Sequence, residues 1–248
     1  MMKALNAIIV TLLMTFSASS WSQYVILTSA APPFVSEDGK SGISVDIVKE
    51  IFKRSNQKYE FKTMPLARAL DQAANKANHC VLPVQRSQEK ETTYRWISPV
   101  LVTQSALFSN SDAPVPLSVL TDARDMSIGV LRGSDEEQYL KGNGFPKIQE
   151  ANDELNNAKK LGSKRMQLWA TDSILGPYYA KKAGISVKQE VAFRSTLRAL
   201  ACHIDMPESV VESLSNSLKS MYSDGTVKKI FTEYTKDLEI GDLGLFLE

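Results

Sequence analysis

The chain of 248 residues predicts an α/β fold, with a mostly parallel sheet flanked by helices. Two observations carry this. In residues 24–84, short β-rich runs alternate with segments whose apolar residues recur at helical spacing. The same alternation begins again at residue 127 and continues to residue 193. A third observation, a strongly periodic C-terminal segment, closes the chain with helices.

The elements follow in order. Residues 24–28 read as a strand, ended by Ala30-Ala31-Pro32-Pro33-Phe34, and Glu37-Asp38-Gly39-Lys40 is turn chemistry. Residues 45–55 read as an amphipathic helix with Ile47, Val48, Ile51 and Phe52 on one face. Residues 59–63 alternate as a strand, 66–77 form a second helix, and 79–84 form the next strand. A polar loop with a short helical turn runs from 85 to 93, into a corner at Trp96 and Pro99. An apolar strand spans 100–108, and two prolines mark 110–116 as a connector. Beyond it, strands are expected at 127–131, 148–150, 168–171 and 187–193, and helices at 135–141, 153–161 and 173–182. The segment LACHID around Cys202 also reads as a strand. Pro207 opens a helix carrying Val210, Val211, Leu214, Leu218 and Met221. Asp224-Gly225 stops it, and Thr226 is expected to cap a last helix carrying Val227, Ile230, Phe231 and Tyr234.

The N-terminus places Met1-Met2-Lys3 before an apolar run at 4–16 and small residues at 17–22, the pattern of a secretory signal peptide over residues 1–22. A buried N-terminal helix is the alternative. The apolar run is too short to span a bilayer, and no Cys follows it to carry a lipid anchor. The expected compartment is the periplasm. Loss of Lys3 takes the formal net charge from +1 to about 0, which argues against a nucleic-acid or acidic-membrane surface.

Two cysteines in an exported chain suggest one disulfide, Cys80 to Cys202. Free buried thiols remain open, as does a zinc site, because His79 and His203 adjoin the two cysteines. Strand geometry weighs against zinc, since adjacent side chains point to opposite faces. No metal and no cofactor are expected.

Several motifs, weak singly, recur in a specific order. They are Pro32-Pro33-Phe34, then Gly42-Ile43-Ser44-Val45-Asp46-Ile47, Leu131-Arg132-Gly133-Ser134, the strand ending at Asp172, and Ser223-Asp224-Gly225-Thr226 running to Tyr234. In this order the mature chain resembles the bacterial extracellular solute-binding proteins of family 3, which have the type II periplasmic binding fold. The resemblance implies two α/β lobes, 23–108 plus 193–248 and 109–192, joined by two hinge strands with the ligand in the cleft between them. It also places Cys80 and Cys202 on neighbouring strands of the first lobe, and Met64-Pro65-Leu66-Ala67-Arg68-Ala69 suggests a branch whose ligands are often unassigned.

Ligand-binding residues carry over from the resemblance position by position. Lys90 stands where members use an arginine to grip the ligand carboxylate, a point charge in place of a planar fork. Arg86 or Arg68 are the candidates to take over that task; for Lys90 and Arg68 the plain alternative is a surface cation. Gln85 occupies a position where members offer a hydroxyl and a backbone N–H. Ser134 matches a helix-opening hydroxyl beside free N–H groups suited to an anion, and it equally serves as an N-cap. Asp135 follows where a second hydroxyl is usual. Asp172 matches the acidic residue that accepts the ligand ammonium, with N-capping as the competing role. Phe34 is an apolar wall or a core residue. Ala31 replaces an aromatic lid, leaving Met64 or Trp96 to supply a stacking surface.

The expected function is capture of a small polar solute, an amino acid or a related amine or acid. Closure of the lobes by a monomeric protein would then signal to an ABC-type permease or a sensor. An enzyme of the same fold, dehydratase-like, is one alternative, although no paired carboxylates and no Ser/His/Asp set are visible. A sensor or scaffold module with a degenerate cleft is the other.

Overall fold

The computed structural model describes residues 23–238 and Ile240. The expected signal peptide at residues 1–22 and the tail at residues 241–248 lie outside the described residues. No helix among the described residues is long and apolar enough to cross a membrane.

One sheet organises the molecule. Its strands are β1 (Tyr24–Thr28), β2 (Tyr59–Thr63), β3 (His79–Gln85), β4 (Tyr94–Asn110), β5 (Ile128–Leu131), β6 (Ile148–Ala151), β7 (Leu168–Asp172) and β8 (Val187–His203), in the order β2-β1-β3-β8-β4-β7-β5-β6. The pairings of β1 with β2 and β3 are parallel, as are those of β5 with β6 and β7. Between these two parallel ends, β4 and β8 run antiparallel to each other over 17 residues each. The helices are α1 (Ile43–Arg54), α2 (Leu66–Asn75), α3 (Asp135–Gly142), α4 (Glu154–Gly162), α5 (Leu175–Ala183), α6 (Glu208–Ser223) and α7 (Thr226–Thr235). This is the expected α/β class.

Two strands are longer than the sequence suggests. β4 begins at Tyr94, so Trp96 and Pro99 lie inside it rather than before it. Pro99 lacks the N–H that a ladder requires, which makes the position read as a break. The structure absorbs it as a register shift between Ile97 and Leu101 against β8. β8 runs unbroken from Val187 to His203, joining the expected strand at 187–193 to the one around Cys202. Arg194 and Arg198 give the intervening stretch the look of a loop. Thr226 is also not the cap of α7. Gly225, in the left-handed region at φ 77°, holds the N-cap position, and Thr226 donates its N–H and hydroxyl to Asp224 Oδ1 at 2.9 and 2.6 Å. Asp224 thereby acts as the capping acceptor, and its contact with Thr226 leads the effects that lower its carboxyl to a pKa of about 2.

Helix and strand patterns explain where the cores sit. α1 buries Ile43, Val45, Ile47, Val48, Ile51 and Phe52, each worth about 1.5–3 kcal/mol for the larger side chains. They pack with Ile26, Phe34, Leu82, Leu101, Leu200 and the buried stripe of α6. The opposite face of β1 places Val25 and Leu27 against Ala69 and Ala73 of α2. A strand buried on both faces has the continuous apolar run seen at 24–28. Two further clusters, around Phe108 and Trp169 and around Val130 and Leu140, draw their buried members from residues 106–187.

Cys80 and Cys202 stand directly opposite each other on β3 and β8 and are joined by a disulfide. Neither thiol is free, so the free-thiol and cysteine–zinc alternatives do not apply.

Candidate functional site

The middle of the sheet carries an unusual polar surface. In the regular stretch between β4 and β8, Leu101 faces Arg198, Thr103 faces Thr196, and Ser105 faces Arg194. Ser105 also faces Asp172, the last residue of β7. Directly opposed residues share a face of the sheet, so Thr103, Ser105, Asp172, Arg194, Thr196 and Arg198 project together. Most of these polar groups are deeply buried: Thr103, Ser105, Thr196 and Asp172 are each 5% exposed or less.

Asp172 is the electrostatic centre. Its Oδ2 accepts from Thr103 Oγ1 at 2.5 Å and from Arg198 Nη2 at 2.7 Å, and its Oδ1 accepts from the backbone N–H of Ile174 at 2.9 Å. The Ile174 contact is not an N-cap: Ile174 itself holds the N-cap position of α5, and that helix has no side-chain cap hydrogen bond. The guanidinium of Arg198 lies over the ring of Phe34, its carbon 4.1 Å from the ring centroid. A guanidinium over an aromatic face contributes about 0.5–2 kcal/mol, more as water is excluded. The Arg198 side chain is 17% exposed, and its Nε is buried without a hydrogen-bond partner. A pair this buried stabilises little against apolar replacements, but removing one partner costs about 3–5 kcal/mol by stranding the other charge.

α3 supplies the next layer. Ser134 is its N-cap and accepts from the Glu137 N–H at 3.2 Å. Asp135, Glu136 and Glu137 fill its first turn, complementing the helix dipole. Glu136 accepts from Ser105 Oγ at 2.6 Å, and Asp135 stands 4.0 Å from Arg194. α3 therefore presents an acidic N-terminus to the sheet surface.

The other expected residues occupy a second group. Gln85 ends β3 opposite Arg198, which places it at the edge of the same surface. Arg86 follows and makes a two-pronged contact with Glu91, at 2.6 and 3.0 Å, while lying 5.7 Å from the centroid of Trp96. The Glu91 contact holds the Arg86 guanidinium more firmly protonated and the Glu91 carboxyl below its usual range. Lys90 sits half-buried at the end of a 3-10 turn, Gln88–Lys90. Met64 packs against the cluster under α2, and Arg68 is exposed on the first turn of that helix. The structure thus brings Phe34, Gln85 and Asp172 together around Arg198, places Ser134 on the adjoining α3, and leaves Met64 and Arg68 on the α2 side.

Arg198, Arg194, Thr103 and Ser105 were not among the sequence candidates. The available signal was the alternation Arg194-Ser195-Thr196-Leu197-Arg198, which places three polar groups on one face of a strand once the segment is recognised as β.

The profile of the bacterial extracellular solute-binding proteins, family 3, matches residues 24–237. Comparison with curated protein sequences finds no match. Among solved structures, the chain is similar to an ancestral cationic amino acid solute-binding protein (TM-score 0.72, 22% identity, 86% of this chain and 95% of that one). It is also similar to substrate-binding domain 2 of Lactococcus lactis GlnP in an open conformation (TM-score 0.72, 17% identity, 89% and 97%). A histidine kinase sensor domain with similarity to periplasmic binding proteins matches at TM-score 0.70 and 14% identity, over 88% and 98%. At these identities the structural matches speak to the fold, which is the type II periplasmic binding fold. The profile match over nearly all the described residues settles the family: this chain belongs to the bacterial extracellular solute-binding proteins of family 3.

Proposed function

We propose that this chain is a periplasmic receptor that captures a small polar solute, an amino acid or a related amine or acid, at the surface built by β4, β7 and β8. The observation that carries this reading is the convergence of Thr103, Ser105, Asp172, Thr196 and Arg198 on one buried face. Buried hydroxyls and charges cost free energy unless they are hydrogen-bonded, and a cluster of them between apolar cores suits a polar ligand. In this reading residues 23–108 plus 193–248 form one lobe, 109–192 form the other, and β4 and β8 are the hinge strands. The division of the apolar cores, one pair built mainly from residues 24–102 and 200–231 and the other from 106–187, supports that division. Gln85, Arg86 and Lys90 would then line the solute site from the first lobe, with Met64 and Arg68 toward its α2 side, and Ser134 from the second, while Phe34 and Asp172 would shape it through Arg198, which covers both.

The protein acts by binding rather than by catalysis, as a monomer that is exported after loss of residues 1–22. Its closed form would be recognised by a membrane permease or a sensor. The similarity to a substrate-binding domain and to a sensor domain fits either partner. A thermal-shift screen of the chain from residue 23 against amino acids, amines and small organic acids tests the reading. A solute at a hundred times its dissociation constant adds about 2.7 kcal/mol and raises the midpoint by several degrees. Absence of any shift across the panel counts against solute capture.

A further inference from the structure

We propose that Arg198 is a built-in occupant of the cation subsite formed by Asp172 and the face of Phe34, so the cleft rejects ammonium and guanidinium groups there and takes anionic or uncharged solute groups instead. This deepens the reading of the cleft as a solute site and rests on it.

The argument begins with the acceptor. An ionised carboxylate offers about four lone-pair positions. Asp172 has three of them filled, by Ile174 N–H, Thr103 Oγ1 and Arg198 Nη2. The residue is only 4% exposed, so solvent does not compete for what remains. A ligand cation would have to displace Arg198 or sit beside it as a like charge in a water-poor site.

The second half of the subsite is the Phe34 ring. A planar cation recognised by a carboxylate on one side and an aromatic face on the other is doubly specified. The chain's own guanidinium meets both requirements, at 2.7 Å from Asp172 and 4.1 Å from the ring centroid. Arg198 is fixed from below by its place on β8, opposite Leu101 of β4 and Gln85 of β3. Its backbone position is therefore set by the strand register, and its side chain is 17% exposed.

The donors that remain indicate what the cleft accepts. Arg198 Nε is buried without a partner. Arg194, two pleat repeats away along β8, meets Asp135 only at 4.0 Å. Both guanidinium groups can donate to a carboxylate or to a neutral carbonyl, and neither can accept from an ammonium.

The test is chemical rescue. Wild type and Arg198→Ala are titrated with ethylguanidinium chloride by calorimetry, against sodium chloride at matched ionic strength. We expect saturable binding to Arg198→Ala at least 20-fold tighter than any binding to wild type, and its loss in Arg198→Ala/Asp172→Asn. Recovery of folded Arg198→Ala only when ethylguanidinium is present is the same expected result, read at the folding step. A folded Arg198→Ala that binds ethylguanidinium no better than wild type overturns the proposal. If Arg198→Ala is not recovered under either condition, wild type decides: saturable binding of ethylguanidinium or L-arginine overturns the proposal, and no binding supports it. Failure of the wider solute-capture reading is separately visible, as silence of wild type toward the whole panel, carboxylates included.

Discussion

Tyr234, in the last helix, donates its hydroxyl to the carboxylate of Asp46 in the first turn of α1, and accepts from the Gly42 N–H at 3.0 Å. Two motifs at opposite ends of the chain, the glycine-to-aspartate opening of α1 and the closing tyrosine, are thereby one structural unit. Desolvation, followed by the hydrogen bond to Asp46, raises the Tyr234 hydroxyl above its ordinary pKa.

Tyr234→Phe should therefore destabilise the fold by about 1–2 kcal/mol, or roughly 2–8 °C, because Asp46 keeps Lys49 as a partner at 2.9 Å. Gly42→Ala should cost more. Gly42 has φ of 121°, and an added Cβ would lie 2.5 Å from the carbonyl oxygen of Phe34. Thermal melts of both variants check the order, and a Gly42→Ala midpoint above that of Tyr234→Phe would refute it.

Reduction of the disulfide is expected to lower the melting midpoint strongly. The bond links residues 122 apart, which in the chain-entropy model constrains the unfolded state by about 5 kcal/mol. Melts with and without dithiothreitol, and of Cys80→Ala/Cys202→Ala, should agree with each other. Little change on reduction would show that the unfolded chain is already compact.

Glu154 gives the fold a pH dependence. It is buried at the start of α4, where its carboxylate accepts from Trp169 Nε1 at 3.0 Å, Thr171 Oγ1 at 2.7 Å and Asn157 Nδ2 at 3.2 Å. No cation is among these partners, and burial pushes its pKa up to about 7. The folded state then holds a proton that the unfolded state releases near the ordinary carboxyl value of about 4.3. Its contribution is present in full below that value and is lost progressively as pH rises from there through 7, by about 4 kcal/mol. Glu154→Gln should flatten the stability profile between pH 5 and 8 and be more stable than wild type at pH 8. Parallel profiles for the two proteins would contradict this.

Arg86 separates stability from binding. Its pairing with Glu91 is largely solvent-exposed and screened, so Arg86→Ala should move the midpoint by no more than about 2 °C. If Arg86 faces the solute, the same variant weakens a solute identified by screening at least tenfold. Titration of wild type and variant with that solute reads the second effect independently of the first.

Legibility in the sequence followed the physics of each feature. The apolar stripe of α1 and the alternation of β1, α1 and β2 are local patterns, and residues 43–63 fold as their periodicity indicates. Asp172 was legible because it ends an apolar strand. Arg198 was not, because its importance depends on cross-strand register: only the pairing with Leu101 and Gln85 brings it to Asp172, 26 residues away in sequence. Pro99 misled for a related reason, since a missing N–H reads locally as a strand end while the two long central strands tolerate a shift there.

The most direct test is calorimetric titration of the chain from residue 23 with the best solute from the thermal-shift screen, alongside Thr103→Val and Ser105→Ala. The account predicts saturable one-to-one binding to wild type, and at least tenfold weaker binding to one or both variants, which lose hydroxyls on the buried face shared by β4, β7 and β8. Undiminished affinity in both variants would place the solute elsewhere and contradict the account.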